Sequence, residues 1–581
     1  MSETSDPASS PVDPKIAADR QLLIDAETRG IGARVGAMTR LSGPGWLQSA
    51  ITLGGGSLTG ALFLGVLGGY SMLWVQLVAI ILGVIMLSAI SYVTLTTGKK
   101  PFQAINQHIN PALGWSWALA TCTANILWCM PQFSLAYAAL DKNLLGDVLN
   151  QDTGVGGKLM VSAVILALTL GIVYLNSRGG KSAKAFDWFL KGLVGIIVIS
   201  FFGVVIVLAT QVGLPWGEIF GGFVPDLGQA SEPTGAVATL VGQVTTEHQS
   251  FWSDKIVSQQ RAVMIAAAAT AVGINMTFLL PYSMLNRGWD RHFRGLARFD
   301  LATGMAIPYV LVTTCVVIAA ASQFHAQADD KLLSSDPAVM VESPLFAKAK
   351  ANLVSRAARE YAPTGADAPV FADLPEPTQL ARVAALSQAD KRLAASLIKR
   401  DAFALSASLA PLLGTGVANQ VFGLGVLGMA ISTIIILMLI NGYVMCEMFR
   451  LPQGGRMHMI GCLIAGVAGA IWPLVWDGPA KFWLAILVSA FGMMLLPIAY
   501  ITFFCMLNSK SLMGDARPQG GRRLTWNILM GVAVIGSIAA AATAVIDKAS
   551  DPKAGWIVIT LGSIVVIAVL IGFMRRRPAS A

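Results

Sequence analysis

Charge is scarce in this chain: only 13% of its 581 residues are Asp, Glu, Lys or Arg, against 55% hydrophobic. A soluble protein of this length needs more charge than that, so the balance, with a mean hydropathy of +0.65, demands many membrane spans. Cysteine is scarce too. Cys122, Cys129, Cys315, Cys446, Cys462 and Cys505 all fall in or beside apolar segments and form no CxxC pair. They read as small core residues, and neither a disulfide framework nor a zinc site is implied. No GxxxxGK[ST] phosphate loop occurs, so nothing points to direct drive by ATP. Zinc-protease and serine-hydrolase signatures are absent as well; the chain reads as no enzyme, and no cofactor is implied. Residues 1–40 lack the apolar core of a signal peptide and are expected to form a mobile cytoplasmic tail.

The net charge of +9 could suggest nucleic acid as a partner, but its placement argues against that. Lys and Arg cluster in short links between apolar runs, where they act as topology signals in a lipid bilayer. Runs of about 20 residues lie near 45–69, 71–97, 112–140, 158–176, 185–212, 262–285, 300–323, 409–446, 457–476, 481–507, 525–546 and 555–574. The expectation is an all-α polytopic membrane protein of about twelve spans. Basic clusters such as Arg287, Arg291, Arg294 and Arg298, or Arg517, Arg522 and Arg523, fall in alternate links. Both termini are therefore expected on the cytoplasmic side of a bacterial inner membrane. The expected layout is a membrane domain over 41–324, with an outward insert at 213–260. An extracytoplasmic insert follows at 325–402, with an amphipathic pattern from Gln379 to Arg400, and a second membrane part spans 403–581.

The first apolar run is interrupted by Leu53-Gly54-Gly55-Gly56-Ser57. Each glycine costs about 1 kcal/mol of helix propensity relative to alanine. Unwound backbone at membrane depth survives only where it is buried in protein or lines a cavity. In the second half of the chain, Gly273-Ile274-Asn275-Met276-Thr277 interrupts an Ala-rich helix, with Pro281 following. Matched breaks of this kind point to a transporter binding site. The plainer reading of any one glycine is close packing of two helices.

Gly43-Pro44-Gly45-Trp46-Leu47, the glycine break, and Gly69-Tyr70-Ser71-Met72-Leu73-Trp74-Val75 together resemble the natural resistance-associated macrophage protein (NRAMP) family of divalent-metal transporters. Leu496-Pro497-Ile498, the stretch Asn508 to Gly514, and Glu447 after Val444-Met445-Cys446 fit the same family. The resemblance implies a LeuT-type fold, with five helices repeated in inverted orientation and substrate held between broken helices 1 and 6.

The chain also departs from that family. The family's first break reads Asp-Pro-Gly-Asn, and those positions fall on Gly54, Gly55, Gly56 and Ser57, so the metal-binding Asp is missing. The family's Met-Pro-His falls on Asn275, Met276 and Thr277, which displaces or removes its thioether. Acidic residues of the third helix are replaced by Asn125, Gln132 and Leu135. With no Asp, Glu or His there, coupling to protons by the family's route is not expected.

What remains is a polar, uncharged site built from the carbonyls of Leu53 to Gly56, Ser57, Gly273, Asn275, Met276, Thr277 and Gln132. The resemblance implies a transported cation with altered selectivity, such as hydrated Mg²⁺. The residues suit a small organic solute equally, and a non-transporting receptor is a third reading. Glu247, His248 and Asp254 could collect metal at an entrance or simply cap a helix. Trp46, Trp74, Trp115, Trp117, Trp216 and Trp252 read as interface anchors. Asp187, Asp290 and Asp300 read as local partners of Lys or Arg.

Overall fold

A computed structural model describes residues 13–146, 154–177, 180–361, 370–400, 402–475, 483–549 and 555–574. Among them every element is helical, and each of the twelve expected segments contains helix. The membrane helices are α1 (Pro44–Thr52), α2 (Gly55–Gly68), α3 (Leu73–Thr97), α4 (Pro111–Ala139), α5 (Val155–Ser177), α6 (Gly180–Gln211), α7 (Thr246–Ala271), α8 (Ile274–Asn286) and α9 (Ile307–Phe324). They continue with α10 (Thr415–Met448), α11 (Arg456–Ala470), α12 (Trp483–Asn508), α13 (Gly520–Ala549) and α14 (Gly555–Met574).

Among the described residues, eight helices are long and apolar enough to cross a bilayer, or nine when the bent pair α1 and α2 counts as one span. Helices α4, α11 and α14 fall outside that set. For α4 the reason is its polar content, which includes Thr121, Asn125 and Gln132; α11 is only 15 residues long. Proline opens several helices at their first position, where no backbone donor is needed. Pro44 does so in α1, and Pro111 does so in α4, where the Asn110 side chain accepts the Ala112 N–H.

Small residues let the broken helices sit deep in the bundle. A side chain on Gly65 would meet the Val317 carbonyl of α9 at 2.6 Å, so α2 and α9 touch backbone to backbone.

Several expectations are corrected. The segment expected as a mobile tail is helical over Pro14–Thr28 and Ile31–Leu41, and Arg20 pairs with Asp290 at 2.5 Å. The helix of the sixth span begins far earlier than 262, at Thr246. The eighth expected run is split at Gly414, whose φ of +81° favours glycine.

The described part of the 325–402 insert is helical, and its buried Leu332, Met340, Leu353, Val383 and Leu393 belong to the same apolar cluster as the membrane helices. Its amphipathic stretch is not one helix. It divides into Glu376–Ala384 and Gln388–Ser396, the second capped by the Ser387 hydroxyl. The insert is fastened to α7 by buried Asp390, which accepts from Arg356 Nε at 2.9 Å and Trp252 Nε1 at 2.7 Å. Trp252 is therefore an internal strut and not an interface anchor. Trp117 is likewise fully buried, donating to Thr277 Oγ1 at 2.9 Å and stacking on Phe278.

Candidate functional site

The first break is narrower than the glycine run suggests. Only Leu53 and Gly54 leave the helix, and α1 meets α2 at 52°. Gly55, Gly56 and Ser57 form the first turn of α2. The second break is Val272–Gly273, both extended, while Asn275, Met276 and Thr277 lie in the first turn of α8. The glycines are required for closeness. A Cβ on Gly54 would stand 2.4 Å from Thr433 Oγ1, one on Gly55 2.4 Å from Leu135, and one on Gly56 2.5 Å from the Trp128 ring. Each contact is closer than real Cβ atoms tolerate, so close packing is required at all three.

A helix end leaves carbonyls and N–H groups without intrahelical partners, and at membrane depth each must be accounted for. At the end of α1, Ser49 O accepts the Leu53 N–H at 2.8 Å. Ala50 O accepts the Ser432 hydroxyl at 2.9 Å, and Thr52 O accepts that of Ser57 at 2.6 Å. The Ile51 carbonyl has no protein partner among the described residues, and Ile51 lines a buried cavity. At the start of α2, the Gly55 N–H donates to Gln132 Oε1 at 3.0 Å. At the start of α8, the Asn275 side chain accepts the Met276 N–H at 2.9 Å.

That cavity, of about 30 Å³, joins the two breaks. It is lined by Ile51, Gly54, Gly56 and Ser57 from the first span, Ala269, Thr270, Gly273, Asn275 and Met276 from the sixth, Trp128 and Gln132 of α4, and Thr433 and Leu437 of α10. Seven expected residues thus converge: Gly54, Gly56, Ser57, Gly273, Asn275, Met276 and Gln132. Leu53, Gly55 and Thr277 do not line it. Leu53 turns into the core, Gly55 holds Gln132, and Thr277 is engaged by Trp117 and by Ile274 O at 2.5 Å.

The sequence reading missed Trp128, Thr433 and Leu437. Trp128 lies one turn before Gln132 on α4, and Thr433 and Leu437 are a turn apart on α10; that spacing was the available signal. Met276, one position past the family's thioether position, lines the cavity, and its sulfur lies 3.5 Å from the Thr52 hydroxyl.

The lining contains no Asp, Glu or His. Among the described residues, no group of three or more His, Cys, Asp or Glu could hold a metal ion. His248 instead lies 3.5 Å from Glu360 of the insert. Asn125 is fully buried with neither amide atom bonded. The site's polarity is therefore neutral: carbonyls at the C-terminal ends of α1 and α7, N–H groups at the N-terminal ends of α2 and α8, and side-chain amides and hydroxyls.

Asp187 and Asp290 pair as expected, with Arg287 at 2.7 Å and Arg20 at 2.5 Å. Asp300 does not. It is buried at the start of α1, where it accepts the Ser42 hydroxyl and the N–H groups of Gly43 at 3.2 Å and Gly45 at 2.6 Å. A side chain on Gly45 would meet the Asp300 carbonyl at 2.1 Å. A carboxylate therefore serves as anion for the free donors opening α1.

No curated protein sequence matches the chain. Solved structures do. A mutant form of the Eremococcus coleocola manganese transporter is similar with a TM-score of 0.59 at 13% identity, covering 93% of each chain. The same transporter in complex with an aromatic bis-isothiourea substituted compound gives 0.56 at 14%, again over 93% of each. At such identities the likeness concerns the fold. The sequence pattern of the natural resistance-associated macrophage protein-like family matches residues 45–354 and 383–547. The matched stretches embrace both breaks and most of the chain, so this integral, multi-pass membrane protein belongs to the Nramp family.

Proposed function

We propose that the chain is a secondary transporter or uniporter of a divalent cation with altered selectivity, hydrated Mg²⁺ being the candidate cargo. The observation that carries this is the cavity between the two breaks, whose polar side chains (Ser57, Gln132, Thr270, Asn275 and Thr433) are all uncharged. Family membership supports the transport of metal, and the similar solved structures are manganese transporters. Without a carboxylate, a transition metal loses its strongest hard ligand. Mg²⁺ holds its waters tightly and can be bound through them by carbonyls, amides and hydroxyls.

A cavity of about 30 Å³ has room for one or two waters, so in this state it is closed to a hydrated ion and to an organic solute alike. A hydrated ion enters only when the breaks part, which is what alternating access supplies. Gly54, Gly56, Ser57, Gln132, Gly273, Asn275 and Met276 would contact the cargo, while Leu53, Gly55 and Thr277 would hold the frame. No proton route through the third span is included, since Asn125 and Gln132 do not ionise. The placement of the basic links supports both termini in the cytoplasm and the 325–402 insert outside.

Purified protein in proteoliposomes tests this by Mg²⁺ and Mn²⁺ flux. Mg²⁺ flux, lost in Asn275→Ala with the fold intact, is the expected result. A folded protein that carries neither ion removes the cation reading. Thermal stabilisation by an organic solute would replace it with the second reading, and binding without flux with the receptor.

A further inference from the structure

At the opposite end of α12 from its start, a second cavity of about 450 Å³ opens, lined by Ile109, Phe504, Cys505, Asn508, Ser509, Lys510 and Ser511. Nothing in the transport reading uses it. Its wall has two chemistries. Ile109, Phe504 and Cys505 form an apolar floor at the last turn of a membrane-spanning helix, and the polar rim follows where that helix ends at Asn508.

Cations stand at the rim and behind it. Asn508 donates to Asn527 Oδ1 at 2.8 Å and so ties α12 to α13. It also holds two guanidinium groups: Arg517 Nη1 donates to its carbonyl at 3.4 Å, and Arg523 Nε to its Oδ1 at 3.4 Å. Exposed Lys510 lines the cavity itself. From Asn508 to Arg523 the chain carries Lys510, Arg517, Arg522 and Arg523 against the single carboxylate Asp515. Among the described residues no ion pair joins any of these cations to a carboxylate. One residue before the lining residue Ile109, His108 Nε2 lies 3.0 Å from Lys99 Nζ. The link is fixed in place: Tyr92 donates to Ala516 O at 3.1 Å, and its ring lies tilted against that of Trp526, 5.8 Å between centroids.

The nearby face of α13 bears on which anion suits the cavity. From the residue after Arg523, Leu524, Ile528 and Val532 follow at helical spacing, exposed and apolar at 63%, 55% and 55%, a surface suited to acyl chains. A soluble anion would leave the apolar floor unused. We propose that this groove binds the phosphate headgroup of an anionic phospholipid, with Lys510, Arg517 and Arg523 on the phosphate and an acyl chain over Ile109 and Phe504. The assignment is independent of what the protein transports.

The test uses the full chain in nanodiscs, with native mass spectrometry to count retained lipids. The probes are phosphatidylcholine alone and phosphatidylcholine with phosphatidylglycerol. Preferential retention of phosphatidylglycerol is expected, weakened about fivefold by Lys510→Gln and again by Arg517→Gln. Lys348→Gln, an exposed cation in the insert, should leave retention unchanged. Equal retention of both lipids overturns the proposal, as does unchanged retention in both groove variants. Displacement of phosphatidylglycerol by millimolar inorganic phosphate would make the groove a soluble-anion site and overturn it too.

Discussion

The Gln132 side-chain carbonyl accepts the Gly55 N–H at 3.0 Å, so the third span supplies the acceptor that the broken first span lacks. Losing a partner for a buried N–H costs about 1–3 kcal/mol. Gln132→Leu should therefore lower thermal stability and cut Mg²⁺ flux about tenfold, because the α2 end would no longer be held. Gln132→Glu keeps the acceptor and adds charge, and should bind cations more tightly. Parent-like flux in the leucine variant would remove Gln132 from the site.

A carboxylate at Gly54 would restore a strong cation ligand, but the structure makes it conditional. The new Cβ would stand 2.4 Å from Thr433 Oγ1. Gly54→Asp alone should bind Mn²⁺ weakly, and Gly54→Asp with Thr433→Ala at least tenfold more tightly in calorimetry. Equal affinity in the two would show that Thr433 does not restrict this position.

Met276 is the one sulfur-bearing residue among those lining the cavity, and its thioether lies 3.5 Å from the Thr52 hydroxyl. Thioethers favour transition metals over Mg²⁺. Met276→Leu should reduce Mn²⁺ flux several-fold more than Mg²⁺ flux in the same vesicles. A ratio that does not move would mean that the sulfur stays with Thr52 and never meets the cargo.

The buried Asp300 carboxylate gathers three donors from the start of α1. Asn in its place offers one acceptor oxygen and turns an NH₂ group toward N–H donors. Asp300→Asn should cost about 3 kcal/mol. It should also free α1, seen as faster thiol labelling of a cysteine introduced at Ser49. Unchanged stability and labelling would show that the contact holds nothing.

His325, just beyond α9, is held neutral by its surroundings. The Ala236 N–H points at its Nε2 at 3.3 Å, so that nitrogen must accept, and Nδ1 then donates to Val66 O at 3.1 Å. Burial pushes its pKa below the ordinary 6.5, outweighing the contact with the Val66 carbonyl and the charge of Glu218. Because the unfolded chain binds this proton more readily, the stabilisation is complete above pH 6.5 and declines as pH falls below it. Melting temperature should drop between pH 7 and pH 5, and less so in His325→Gln. Identical slopes in the two proteins would exclude His325 as the cause.

Much of the fold was legible before any coordinates. Hydrophobic runs need only length and apolarity to be recognised, and the two breaks announced themselves through Gly54 to Gly56 and Gly273. The site was legible only in part. Seven of its residues lie at those breaks or on Gln132, but Trp128, Thr433 and Leu437 come from helices with no break to mark them. Trp117, Trp252 and Asp300 were misread for a related reason. Position near a span end predicts an anchor or a surface ion pair, whereas each is buried against a distant partner.

The sequence by itself determined that this is a polytopic helical membrane protein with paired breaks and no carboxylate in the first of them. Those properties are local: composition, run length and residue identity decide them without reference to any neighbour. Tertiary structure alone decided which neutral groups converge between the breaks and which glycines exist for closeness. It also decided how the insert is fastened to α7 and where the cations of the last links meet an apolar groove. Each of these depends on backbones brought within a few ångströms across long stretches of chain, and close packing sets those distances.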